Sequence, residues 1–439
     1  MTSIACYGGV GEIGGNKILV EDKGTRVFLD FGMSFKAKGE FYSPPFLSPK
    51  SGAALVELGI LPKFDGLYRF DDSKPSVDAV FISHAHLDHY GHVSMLKREI
   101  PIHCGETART IIEAASKTRQ SNFESDFEGT QWKTFRTGKK VNIDSIEVEP
   151  IHVDHSVPGA YGFLVHTSSG TIVYTGDFRM HGPRKDMSEE FVEKAAETDP
   201  IAILSEGTNL TGAEISSEAE VSDKLSKLVK TTKGIIFAEF SKSDTDRLTS
   251  FHSAAKSGSR SLAISMRQAY ILRALEKDPK LKLPRLSDKT LTVFRRTKKK
   301  YYPWEEEVMD EANVVDSAKL SKMQNETVLA ISLADFEELI EIKPSSGSCY
   351  VLSASEPFNE EMEIDFDKLM SWLDHYGIVQ YHVHVSGHIM PLQLRETLQR
   401  IQAKKTFPIH NENPELFAKF ASSEKSEVVV TEKGTHYKL

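Results

Sequence analysis

Within six residues, His84-Ala85-His86-Leu87-Asp88-His89, the chain places four side chains able to bind a metal. The run directly follows Val80-Phe81-Ile82-Ser83, an apolar segment that reads as a buried strand. That context argues against a merely solvated, histidine-rich loop. On extended backbone His84 and His86 share one face, while a tight turn after Ser83 can aim Asp88 and His89 the other way. The ligands then divide between two ions instead of crowding one. Imidazole with carboxylate suits zinc, and also manganese or iron.

A two-ion centre needs more ligands, and later strand ends offer them. Ile146-Glu147-Val148-Glu149 leads to His155, Thr171-Ile172-Val173-Tyr174 to Gly176-Asp177, and Ile201-Ala202-Ile203-Leu204 to Glu206. Thr406-Phe407-Pro408-Ile409 ends in His410. Taken singly, each is more often an ordinary residue; at the ends of successive strands they form a pattern. Strands that end in loops bearing function belong to α/β or αββα scaffolds. The glycine run Gly9-Val10-Gly11-Glu12-Ile13-Gly14, with Asp30 downstream, satisfies a dinucleotide fingerprint but lacks the helix that such a site requires. Two strands, around 17–20 and 26–30, follow instead. The glycines are better read as a tight backbone turn beneath a site.

Composition narrows the class. An apolar share of 39% and a charged share of 27% suit a folded globular chain. No run of 18 apolar residues implies a transmembrane helix, and the first residues do not read as a secretory signal. Cys6, Cys104 and Cys349 are too scattered for a disulfide framework or a zinc ribbon, so a cytoplasmic location is expected. The net charge of −9 argues against a generic nucleic-acid coat but leaves room for a local basic groove.

Between about 208 and 375 the pattern changes to alternating helices (near 217–230, 244–257 and 266–277) and short strands, as in a separate α/β unit. After 376 the earlier style returns. The expected organisation is therefore one domain, 1–207 completed by 376–439, interrupted by an inserted domain at 208–375. The insert contains Phe294-Arg295-Arg296-Thr297-Lys298-Lys299-Lys300-Tyr301-Tyr302, whose cations could grip RNA phosphates while its tyrosines stack on bases. A solvated face is the commoner meaning of such a run.

The order of H-x-H-x-D-H, His155, Gly-Asp177 and His410 resembles the metallo-β-lactamase fold, and the remaining features resemble its β-CASP branch of nucleic-acid-processing nucleases. Glu206 in Leu204-Ser205-Glu206-Gly207-Thr208-Asn209 matches that branch's first motif. His388 in His384-Val385-Ser386-Gly387-His388 matches the second, and His410 the third. The glycine-rich start and the His-x-Ser-Gly-His run are most similar to ribonuclease J. With Leu439 coming soon after His410, the expected form is a short, archaeal-type one.

The resemblance implies an αββα metallo-β-lactamase fold with an inserted α/β β-CASP domain. It implies that His84, His86 and His155 hold one divalent ion, that Asp88, His89 and His410 hold the other, and that Asp177 bridges, with Asp30 orienting ligands from outside. Zinc is the first expectation and manganese the second. Asp88, Glu206 and His388 are the expected catalytic set, with His388 stabilising charge on the phosphate and Glu206 positioning His388 or assisting proton transfer. His384, Ser386 and Gly387 would receive a terminal phosphate, or their loop would serve only to position His388. Ser241 and Asp244 fall where the family makes further contacts, but the wording departs there.

The expected activity is hydrolysis of RNA phosphodiester bonds, 5′-to-3′ from single-stranded, 5′-monophosphorylated ends, with endonuclease action also open. A homodimer is an open expectation and a membrane is not expected. Two rivals share parts of the pattern: a lactone or β-lactam hydrolase using the same metals, and a non-catalytic RNA-binding subunit. The inserted domain weighs against the first and the complete ligand set against the second.

Overall fold

A computed structural model describes all residues except 45, 120–121, 212–215, 355–359 and 423–425, and the side chains of 360–363. The contacts divide into two compact units. The first comprises 1–112, 119–213 and 387–439, and the second comprises 113–118 and 214–386.

The first unit is built on two seven-stranded sheets. One begins with the antiparallel strands Thr2–Gly8, Lys17–Asp22 and Thr25–Leu29. It continues in parallel through Ala79–Ile82, Ile102–Gly105 and Trp132–Phe135. The other sheet contains Ile146–Val153, Ala160–Thr167, Gly170–Tyr174, Ala202–Glu206 and Lys405–Ile409. One fully buried cluster joins them: Ile4, Val20, Leu29 and Phe81 from the first sheet pack with Val148, Phe163, Ile172 and Leu204 from the second. The outer face of the second sheet is covered by helices Lys185–Glu197, Pro391–Ile401 and Pro414–Ala421, through Phe191, Leu394 and Phe417. Burial on both faces explains the unbroken apolar runs of the inner strands, where alternation would mark a half-exposed sheet.

The second unit is one seven-stranded parallel sheet. The crossover helices Glu218–Thr231, Thr245–Ser257 and Met266–Leu275 come close to the positions expected from sequence. One expectation is corrected. Val379–His382 does not return to the first sheet but pairs in parallel with Cys349–Leu352, at the edge of the inserted one. A short edge strand and a re-entering strand read alike, because the partner that distinguishes them is remote in sequence. The αββα fold with an inserted α/β domain is thus the observed architecture.

Candidate metal centre

The six-residue run contributes to two groups of candidate ligands because its backbone changes conformation midway. Ala79–Ile82 is buried throughout and carries the chain to Ser83. His86 is still extended (φ −96°, ψ 145°) and caps the helical turn Leu87–Tyr90, which bears Asp88 and His89. In the second sheet Gly170–Tyr174, Ala202–Glu206 and Lys405–Ile409 run parallel. Parallel strands deliver their carboxyl ends to one edge, and Asp177, Glu206 and His410 gather there. Gly176 (φ 55°) is required on the way: a Cβ at that position would lie 2.8 Å from the Tyr161 carbonyl oxygen.

Three imidazoles converge first. His86 Nδ1 lies 3.1 Å from both His84 Nε2 and His155 Nε2. Beside them, His410 Nε2 lies 3.1 Å from Asp88 Oδ2, and His89 Nε2 3.0 Å from Asp177 Oδ2. Asp177 Oδ2 is 3.5 Å from His84 Nε2 and 3.5 Å from His410 Nε2, so one carboxylate oxygen touches both groups. Each group (His84, His86, His155 and Asp177; Asp88, His89, Asp177 and His410) has its ligand atoms within 4.8 Å of one another.

Outer contacts aim the rings. His155 Nδ1 donates to the Gly387 carbonyl at 2.7 Å, and His89 Nδ1 donates to Asp30 Oδ2 at 2.7 Å. Both partners can only accept, so the proton sits on Nδ1 and Nε2 faces the centre. Ser83 Oγ at 2.9 Å from His84 Nδ1 and Thr208 Oγ1 at 2.8 Å from His410 Nδ1 complete the set. Asp30 adopts a left-handed φ of 59°, and it also accepts from Ser83 N–H (2.6 Å), Ser83 Oγ (2.7 Å) and the Tyr174 hydroxyl (2.5 Å).

These residues fit divalent cations on the structure's own terms. His89 Nε2 and Asp177 Oδ1 are buried with no hydrogen-bond partner among the described residues, and His89 Nε2 lies near Asp177 without the geometry of a bond. A buried polar atom left so costs about 1–3 kcal/mol, which a coordinated ion would relieve. Burial, with neighbouring imidazoles, holds His84 and His155 well below the usual histidine range, and burial takes His86 down to about 4. Burial also opposes charge on His89, yet Asp177, Asp88 and Asp30 overcome it and hold that ring protonated. A concentration of carboxylates that can protonate a fully buried imidazole is a strong field for a cation.

Glu206 and His388 adjoin this centre. Glu206 is fully buried and accepts the Phe178 N–H at 2.9 Å and the Thr208 hydroxyl at 2.8 Å. It also lies 3.0 Å from His388 Nδ1. His388 Nδ1 is 3.8 Å from Asp177 Oδ2, and its ring lies against those of His155 and His410, each centroid 5.2 Å away. Burial disfavours the imidazolium, but Glu206 and Asp177 outweigh it and raise His388 to about 9. Without metal, the charged form of the ring is therefore favoured at neutral pH.

The expected phosphate residues divide between the units: His384 and Ser386, both half-buried, belong to the second, and Gly387 to the first. Gly387 uses its carbonyl to hold His155, and a Cβ there would crowd the same ring at 3.0 Å. Asp244 caps the helix Thr245–Ser257 by accepting from Arg247 N–H at 2.9 Å. In the basic run, Arg295 pairs with Asp316, Arg296 with Asp335 and Lys298 with Glu305, and Lys298 also lies over Tyr301 and Tyr302. Much of that charge is thus balanced locally. Sequence reading passed over Thr208, Tyr174 and Asp154. Asp154 is fully buried, accepts from Arg179 (3.4 Å) and from Arg184 N–H (3.0 Å), and so steadies the loop of His155. Its position next to His155 was the only available signal.

The geometry agrees with comparisons to known proteins. The family model described as "Beta-lactamase superfamily domain" matches residues 67–201, which include all the ligands above except His410. Ribonuclease J of Helicobacter pylori (strain J99) is 25% identical over 93% of this chain and 56% of its own length. Ribonuclease J of Sinorhizobium meliloti is 25% identical over 94% of the chain and 69% of its own length. The resemblance to the metallo-β-lactamase-fold β-CASP family holds. The chain spans little more than half the length of the Helicobacter relatives that it matches. A solved structure described as a protein of unknown function from Enterococcus faecalis V583 superposes over 100% of both chains, with a TM-score of 0.79 and 21% identity, and so shares the fold.

Proposed function

We propose that the chain is a metal-dependent ribonuclease that hydrolyses phosphodiester bonds from 5′-monophosphorylated, single-stranded ends. One observation carries the reading: His388 lies 3.0 Å from the buried Glu206 and 3.8 Å from Asp177, the aspartate common to both ligand groups. A lactone is neutral before attack, whereas a phosphodiester is already anionic and gains further negative charge on its oxygens, so a cation beyond the metals serves it more. Ribonuclease J relatives aligned along almost the whole chain support the substrate class.

In this reading His84, His86 and His155 would hold one divalent ion and Asp88, His89 and His410 the second, with Asp177 available to both. Zinc suits the nitrogen-rich donor set, and manganese is the alternative. When bound, the ions supply Lewis-acid charge and acidify water at neutral pH. Asp30, Ser83, Thr208 and the Gly387 carbonyl keep the ligand rings aimed. Glu206 keeps His388 protonated, and His388 places positive charge beside the phosphate oxygens. His384, Ser386 and Gly387 are proposed to receive the 5′-phosphate.

The deciding experiment compares 5′-monophosphorylated, 5′-triphosphorylated and circular RNA, with a lactone alongside. Release of mononucleotides from the first, with circular RNA left intact, is the expected result. His388→Ala should lower kcat by about 100-fold or more, the scale of losing one donor to transition-state charge. Undiminished RNA cleavage by that variant would sink the proposed role of His388. Lactone turnover with no RNA cleavage would overturn the substrate class.

A further inference from the structure

Beside the Asp88 half of the centre, the chain exposes side chains that a solvated loop would normally hide. The glycine loop and the start of the short helix Phe35–Gly39 are fastened together there. Glu12 is buried, accepts Gly9 N–H at 3.3 Å and takes a short hydrogen bond from Ser34 Oγ. Ser34 in turn caps the helix by accepting from Ala37 N–H at 3.0 Å. Both segments press on the metal loop. A Cβ on Gly14 would lie 2.5 Å from Asp88 Cβ, and one on Gly32 would lie 1.6 Å from the Asp88 carbonyl oxygen. Met33 N–H donates to the Leu87 carbonyl at 2.9 Å.

Ile13 and Phe35, one position in sequence from Gly14 and Ser34 respectively, are 38% and 43% exposed. Phe41 follows at 43%, and Phe46 at 94%. Single exposed apolar residues are ordinary, but three phenylalanines within twelve positions, beginning beside a metal loop, are not. Cations interleave with them: residues 34–50 contain Lys36, Lys38 and Lys50 against one acid, Glu40, in a chain whose net charge is −9. Lys38 is tied to Glu124 at 2.7 Å, while Lys36 reaches the Gly11 carbonyl at 3.4 Å, along the glycine loop. Aromatic faces alternating with positive charge suit stacked bases on a phosphate backbone.

We propose that Phe35 and Phe41, with Ile13 beside them, form a base-stacking platform that positions single-stranded nucleic acid next to the Asp88 side of the centre. The inference rests on the ribonuclease reading and adds positioning residues to it. Stacking is tolerant of sequence because every base presents a π face, so the platform would hold the strand without selecting bases.

The test measures binding of a 2′-O-methyl oligoribonucleotide, which resists cleavage, and of the same oligomer with abasic positions, by fluorescence anisotropy of the full chain. The double variant Phe35→Ala/Phe41→Ala should bind the normal oligomer about tenfold more weakly per lost stack, while Phe35→Tyr/Phe41→Tyr retains affinity. On the abasic oligomer the alanine variant should match the wild type. Equal losses on both oligomers would mean that the aromatics only support the fold, and would overturn the proposal. So would no loss on either, which would leave the face to a protein partner. If the wild-type chain binds no oligomer at all, the ribonuclease reading fails as well, so the two failures are distinguishable.

Discussion

At the scale of single residues, the pairing of Glu206 with His388 makes a sharp electrostatic prediction. An exposed histidine titrates near 6.5, whereas His388 is raised to about 9 against its own burial, because Glu206 and Asp177 favour the imidazolium. A base raised in this way stabilises the folded state fully below about 6.5, and that contribution is lost as pH rises through about 9. Glu206→Gln keeps the shape and removes the charge, so His388 should titrate markedly lower. Ring-proton NMR of the metal-free protein reads this directly, and an unmoved titration would show that Asp177 alone holds the proton. Asp30→Asn should cut metal affinity by about 10–100-fold through the tautomer of His89, measurable by competition with a chromogenic chelator. Retained affinity would show that the ring is aimed by packing alone. Most of the centre's residue types were legible in sequence, since imidazole and carboxylate side chains recur at the ends of successive strands around one dense run, His84 to His89. Their aim was not. Thr208 and Tyr174 act on the ligands through contacts that span 202 and 144 positions, and local pattern cannot show these.

At the scale of elements, the helix Thr245–Ser257 carries an unusual cap. Asp244 accepts from Arg247 N–H, yet burial raises its carboxyl to about 6, with Arg247 opposing the rise and Asp246 adding to it. The folded-state value lies above the unfolded one of about 3.9, so the charged form is the costly one. Stability should fall as pH rises from about 4 to 6 and then level off. Asparagine caps helices as well as aspartate does and has no charge to bury. Asp244→Asn should therefore be more stable than the parent at pH 7.5, by about 2–3 kcal/mol at most, with the gain shrinking towards pH 4. Urea denaturation at both pH values checks it, and a less stable variant at pH 7.5 would mean that the attraction to Arg247 exceeds the cost of burial. Elements of this kind were the most readable part of the fold, because their apolar runs and caps are local. Val379–His382 was misassigned for the complementary reason, since only its pairing with Cys349–Leu352 places it in the inserted sheet.

At the scale of the whole molecule, the candidate ligands and their aiming contacts all lie in one of two units that have separate cores. The ligands belong to the first unit, around Phe81, Phe163 and Leu204, whereas the second packs around Phe237, Leu329 and Tyr350. Chelation should consequently destabilise the units unequally. A ligand present at a thousand times its dissociation constant stabilises the state that binds it by about 4 kcal/mol. Losing it also leaves Asp88 and Asp177 sharing the centre with only protonated imidazoles, His89 and His388, to offset their charge. Hydrogen exchange after chelation should show faster opening of Ala79–Ile82 and Gly170–Tyr174, while Ile236–Glu239 and Cys349–Leu352 exchange as before. Equal acceleration in both sets would mean that the chain opens as one cooperative body. No acceleration in either would mean that the cluster binds no stabilising ion, and the metal reading of His84 to His89 would fall with it.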